Sequence, residues 1–219
     1  MATNGNENIM ATFELCQQLG MDRDVVDRKM TELGWTLTED PRAPADLLLW
    51  LFFARDFSVY TDESLQLISG SENRGEHLGY LIINSDFMAA STLGNSALPK
   101  GQPSYQKGKR KLAVLGLSLG KGQCIFGGPQ SLADHAISFE DFEAEWPENF
   151  PRSNRPGVKA NFGETQTGNI AAFYLDRVAI TQLFASETIV LPYTSREFDP
   201  TIFDDMPEAV VAISPIQQE

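Results

Sequence analysis

Gly116, Gly120, Lys121 and Gly122 come nearest to a recognised chemistry. They lie in KLAVLGLSLGKGQC (111–124), where an apolar run ends on Gly-Lys-Gly. A phosphate-cradling P-loop needs four residues between its first glycine and the Gly-Lys pair, followed by Ser or Thr. That spacing curls consecutive backbone N–H groups around the phosphates, and the hydroxyl holds Mg²⁺. Here only Leu117, Ser118 and Leu119 intervene, and Gly122 has no hydroxyl. The stretch instead predicts a hairpin: a strand over Lys111–Leu119, a reversal at Gly120-Lys121-Gly122 and a return over Gln123–Phe126. Such a loop keeps the capacity to touch a phosphate without hydrolysing a nucleotide.

The remaining chemically capable residues form no recognised site. His77 follows Glu76 and His135 follows Asp134, with no HExxH and no metal-ligand spacing. Asp134 has the chemistry to orient the His135 imidazole, but no GxSxG or catalytic-cysteine signature supplies a nucleophile. A catalytic reading would need a pocket that gathers His135 with several carboxylates. Cys16 and Cys124 are far apart and make no CxxC or Cys/His pattern. Each reads as a separate buried apolar residue, Cys16 on a helix face and Cys124 beside Ile125 and Phe126 in a strand. That pattern, with no basic or apolar leader in MATNGNENIM, predicts a reducing, cytoplasmic setting. Glu140–Glu148 lacks the Asp/Asn/Gly pattern of a calcium loop. No cofactor and no metal are expected, and the balance leans away from an enzyme.

Charge is sorted along the chain. The formal net charge is -13, which on a uniform surface repels nucleic acid and anionic membranes. Yet between Asp86 and Asp134 there is no acidic residue, while Lys100, Lys107, Lys109, Arg110, Lys111 and Lys121 fall there. The pattern then inverts: Asp134, Glu140, Asp141, Glu143, Glu145 and Glu148 occur with no Lys or Arg among them. A second acidic cluster holds Glu197, Asp199, Asp204, Asp205 and Glu208. Three arrangements follow. The basic loop pairs weakly with an acidic segment of its own fold. Alternatively, it meets the acidic segment Glu140, Asp141, Glu143, Glu145 and Glu148 of another copy, head to tail. In the third, Lys100, Lys107, Lys109, Arg110, Lys111 and Lys121 contact nucleic-acid phosphates, with Tyr105 stacking on a base.

The elements that must position these residues can be sketched. Residues 1–8 read as a frayed, disordered end. Residues 9–40 read as a helical hairpin appendage: a helix over 9–19, Gly20 at a turn, and a second helix capped by Asp22 and ended by Gly34. The pair has the outline of a DNA-binding helix-turn-helix, but Arg23, Arg28 and Lys29 are offset by Asp22, Asp24, Asp27 and Glu32. A short strand is expected over Trp35–Thr38. Residues 41–219 read as the main domain. A helix from Pro44 to about Phe57 is apolar nearly all round, and a short helix runs from Thr61 to Gly70. Leu78–Asn84 reads as a buried strand, Leu93–Lys111 as an exposed loop, Ser138–Pro147 as a short helix and 147–169 as a long irregular loop. Ile170–Ala185 reads as a helix, and Glu187–Leu191 and Ala209–Ile213 as strands.

Together these give an α+β fold, a helical N-terminal third with a modest, mainly antiparallel sheet from the middle and C-terminal parts. LLLWLFFA (47–54) is too short to span a bilayer, so no membrane partner is expected. The expected function is that of a non-catalytic structural or adaptor-like protein, self-associating as a homo-oligomer through its basic and acidic segments. The alternative is nucleic-acid binding, through basic loop 100–111 or through residues 9–34.

Overall fold

The final strand of the chain, Ala209–Pro215, lies in the middle of the sheet rather than at its edge. In the computed structural model eight strands form one antiparallel sheet in the order β1-β2-β3-β4-β8-β7-β6-β5. These are β1 (Thr36–Leu37), β2 (Ser104–Lys107), β3 (Arg110–Leu115), β4 (Gln123–Gly128), β5 (Glu143–Ala144), β6 (Val158–Glu164), β7 (Gly168–Leu175) and β8 (Ala209–Pro215). Among the described residues, seven α-helices and a 3-10 helix (Pro200–Asp205) complete the α+β fold: α1 (Asn4–Gln17), α2 (Arg23–Glu32), α3 (Ala43–Val59), α4 (Asp62–Ser69), α5 (Arg74–Gly94), α6 (Ser131–Ala136) and α7 (Arg177–Ala185). The structure describes residues 4–18, 22–40, 42–70, 72–94, 103–115, 122–147, 152–153, 155–191 and 198–216.

Successive strand side chains point to opposite faces, and both faces are covered. On one face Ala113, Ile125, Phe173, Val210 and Ala212 pack under α3, α5 and α7. On the other, Leu112, Val114, Phe126, Ala172, Val211 and Ile213 pack under α1, α2 and α6 through Phe13, Val26, Met30 and Leu132. Strand β8 therefore reads as an unbroken apolar run from Ala209 to Ile213, all of it buried. Its residues pair on one side with β4 (Ile125 with Ala212) and on the other with β7 (Ala171 with Ala212).

Many local signals act as read. Asp22 accepts from Asp24 N to cap α2. Thr61 accepts from Ser64 N to cap α4, and Gly70, at φ +69°, ends it. Pro44 sits in the first turn of α3, whose Leu47, Leu48, Trp50, Leu51, Phe53, Ala54 and Phe57 are all buried. Helix α1 starts at Asn4, inside the stretch read as a frayed end.

Five expectations are corrected. Leu78–Asn84 is not a strand but the middle of α5. Its buried residues Leu78, Leu81, Ile82, Ser85 and Ala89 fall at helical spacing, which outweighs the local β-branched character. Glu187–Leu191 is no strand either. It runs extended along α5, where Gly75 and Gly79 face it so closely that a Cβ would lie 2.0 Å from the Thr188 carbonyl oxygen and 1.9 Å from that of Val190. Ile170–Ala185 divides at Asp176, which accepts from Ala179 N and caps α7, so the first part is strand β7. The irregular loop over 147–169 contains β6, and the short helix of 138–147 gives way to β5.

Candidate functional site

The basic segment folds as a hairpin, not as the exposed loop expected of it. Strands β2 and β3 pair from Ser104 with Ala113 to Lys107 with Arg110, leaving Gly108 and Lys109 as the reversal. Gly108 takes φ +61°, the left-handed conformation that two-residue hairpin turns need. A legible signal was present: Tyr105 stands between Ser104 and Gln106, and a Lys-Gly-Lys tip separates this stretch from the apolar run Leu112–Leu115.

The hairpin sorts its residues by role. Tyr105 is no stacking platform: its ring is 1% exposed in the core and its hydroxyl donates to Asp27. Burial, then the hydrogen bond and charge of Asp27, push the Tyr105 phenol well above its ordinary value. Lys107 donates through Nζ to the Leu33 carbonyl at 2.7 Å, at the C-terminal end of α2 where a cation is favoured. Its partial burial, and then the charge of Arg110, lower its pKa. Lys109 and Lys111 are exposed and Arg110 half-buried, so these three form the outward basic tip. Lys111 stands close enough to Asp46 to offset part of the burial that raises the Asp46 carboxyl. Lys100 and Lys121, and with Lys121 the Gly120 of the predicted turn, lie outside the described residues.

The acidic segment is at the far edge of the same sheet. Glu140, Glu143 and Glu145 are exposed, while Asp141 is half-buried and accepts from Gln166 N at 2.9 Å. Glu148 lies outside the described residues. Strand β5 pairs with β6 so that Glu143 stands opposite Glu164 and Ala144 opposite Gly163. The ladder continues through Glu145 N, which donates to the Phe162 carbonyl at 2.8 Å. Residues in register share a face, as do residues two apart, so Glu143, Glu145 and Glu164 gather on one side of this edge. Like charges directly opposite each other are destabilising. A cavity of about 390 Å³ opens beside them, lined by Glu145, Glu164, Asn169 and Ser214 above an apolar floor of Phe162 and Ala212. Trp146 packs edge-on against Phe162 at 5.1 Å, with Arg152 over its other side at 4.4 Å.

Strands β3 and β5, which carry Arg110, Lys111 and Glu143 of the two charged segments, stand well apart within one chain. Five interstrand steps separate β3 from β5, roughly 24 Å at the usual strand spacing.

Neither histidine lines this cavity, and no group of three or more His, Cys, Asp or Glu among the described residues is arranged to hold a metal ion. His77 is buried in α5, and His135 sits in the short helix α6. The reading of Cys16 and Cys124 as separate apolar residues is corrected: they are joined in a disulfide that ties α1 to β4, and both are fully buried. Among the described residues no helix is long and apolar enough to cross a membrane.

No known family model, curated protein or solved structure matches the chain.

Proposed function

We propose that the chain is a non-catalytic structural protein that self-associates head to tail, the basic hairpin tip of one copy engaging the acidic sheet edge of the next. One observation carries the reading: the outward cations Lys109, Arg110 and Lys111, on the β2–β3 hairpin, and the carboxylates Glu143, Glu145 and Glu164, at the β5 edge, lie on well-separated strands of one sheet. A contact between unlike patches is heterologous and repeats from copy to copy, closing as a ring or running on as a filament. The acidic cavity suits a basic side chain, with an apolar floor for the methylene stem and carboxylates for the head. The edge strands β1 and β5 have two residues each, which favours docking of side chains over strand addition.

Nucleic-acid binding is less well supported. With Tyr105 buried and Lys107 anchored to α2, few residues of the hairpin are left to follow a phosphate backbone. In the helix pair, α1 packs on β8 and α6 while α2 packs beside β1, and Val26 and Met30 are buried beneath α2.

Sedimentation velocity across a concentration series tests the proposal. The sedimentation coefficient should rise with concentration at low salt and fall toward a single-chain value as salt increases. Lys109→Glu with Arg110→Glu should leave a monomer, as should Glu143→Lys with Glu164→Lys, and mixing the two variants should restore a dimer through their unaltered ends. A wild-type chain that stays monomeric at every concentration and salt level overturns the reading. A high ratio of 260 to 280 nm absorbance in purified protein would transfer support to nucleic-acid binding.

A further inference from the structure

Away from both sheet edges, arginines converge where α4 and α5 begin. A cavity of about 200 Å³ is lined by Thr61, Asp62, Arg74, Arg152, Ser153 and Arg155. The side chain of Arg155 is only 4% exposed. Its Nε and Nη2 donate to Asp62 Oδ1 at 2.9 and 2.7 Å, and its Nη1 donates to the Tyr60 carbonyl at 2.6 Å. Ser153 Oγ accepts from Arg155 N at 3.2 Å and from Nη1 at 3.3 Å, so the hydroxyl proton is what Ser153 offers elsewhere. Arg155 is thereby fixed, and it fixes Ser153.

The local charge is out of balance. Three guanidiniums meet one lining carboxylate, that of Asp62, and Glu187 faces Arg74 at 3.6 Å from outside the lining. Arg74 is the first residue of α5, the helix end at which a cation is disfavoured. Burial depresses the Arg155 pKa, the Asp62 hydrogen bond and charge oppose this, and the Arg74 charge adds to the depression. In a chain of net charge -13, this gathering of like charges is relieved by an anion placed among them.

We propose that this cavity binds a small phosphate dianion, free or as a phosphomonoester, held by Arg74 and Arg152 with Ser153 donating its hydroxyl, while Arg155 positions Ser153. Two guanidinium forks and a hydroxyl match the several acceptor oxygens of a phosphate. The volume lies below the roughly 300–1,000 Å³ of sites for drug-sized ligands, which favours a small anion over a whole nucleotide.

Isothermal titration of the full chain at low salt, with inorganic phosphate and with glycerol 3-phosphate as probes, tests this. Millimolar or tighter binding of at least one probe is expected, with acetate weaker. Tighter binding of glycerol 3-phosphate identifies an ester site, and equal binding identifies a site for the dianion alone. Arg74→Gln and Arg152→Gln are substitutions at exposed positions, and each should weaken binding by about tenfold with unchanged circular dichroism. Repeating the titration with Lys109→Glu plus Arg110→Glu separates this site from self-association, because that variant should bind phosphate normally. Absence of heat with both probes, or affinity unchanged in the Arg74→Gln/Arg152→Gln double variant, overturns the proposal.

Discussion

Tyr105 shows how one side chain is kept out of the surface chemistry that its neighbours perform. Its ring fills the core between α2 and the sheet, and its hydroxyl gives Asp27 a donor. Tyr105→Phe should cost about 1–2 kcal/mol in urea denaturation, since it leaves the Asp27 oxygen without that bond. The phenol also sets an alkaline limit. Its folded-state pKa lies above the ordinary value of about 10. The neutral phenol is thus the form that the fold favours. Its contribution is complete below pH 10 and is lost as pH rises above it, where only the unfolded chain releases the proton. Tyr174, whose hydroxyl donates to Asp134 at 2.8 Å, is pushed up to about 12 by partial burial and then by Asp134. Stability should therefore decline from about pH 10 upward, and Tyr105→Phe should flatten most of that decline because Tyr105 is the more deeply buried of the two. An unchanged alkaline limb in Tyr105→Phe would show that the hydroxyl is not held as described.

At the level of elements, the contact between α5 and the segment 187–191 is the most exacting. Gly75 and Gly79 present bare backbone one turn apart, and Val190 N donates to the Gly75 carbonyl at 3.4 Å. Gly79→Ala would place a methyl carbon 1.9 Å from the Val190 oxygen, so the segment must lift off the helix. We expect a loss of about 1–3 kcal/mol and faster amide exchange confined to α5 and residues 187–191. Exchange unchanged there would refute the close approach. The same helix shows what could be read in advance. Elements defined by local grammar were legible: the caps at Asp22 and Thr61, the proline start and all-round apolarity of α3, and the strands β3 and β4, whose connecting residues 116–121 lie outside the described residues. Leu78–Asn84 suggests a strand because a short, mostly apolar stretch fits either period, and the helical spacing shows only when Ser85 and Ala89 are included. Strands β6 and β7 were obscured because their partners decide them, not their own residues: β7 pairs with the distant β8, and β6 pairs with β7. In the candidate site, the charge sorting was legible at the level of segments. That the two segments lie on well-separated strands of one sheet was not, because strand order is a property of the folded chain.

Over the whole molecule, the Cys16–Cys124 bond joins residues 108 apart and closes most of the N-terminal half into one loop. Denatured protein without reductant should show no reaction with a thiol reagent at these two positions, and Cys16→Ala with Cys124→Ala should lower stability by about 2–5 kcal/mol. Full thiol reactivity of the denatured, unreduced chain would contradict the bond. The position of β8 bears on how the molecule is made. Synthesis runs from residue 1 onward, whereas the sheet has its keystone at residues 209–215. Until those residues leave the ribosome, β4 and β7 each present a naked hydrogen-bonding flank and two open apolar layers. A nascent chain of this design therefore passes through a late, sticky stage that ends only when its last strand slots between two waiting halves. A chain stopped after Glu208 should accumulate as insoluble aggregate in a translation reaction from which the full-length product is recovered in the supernatant.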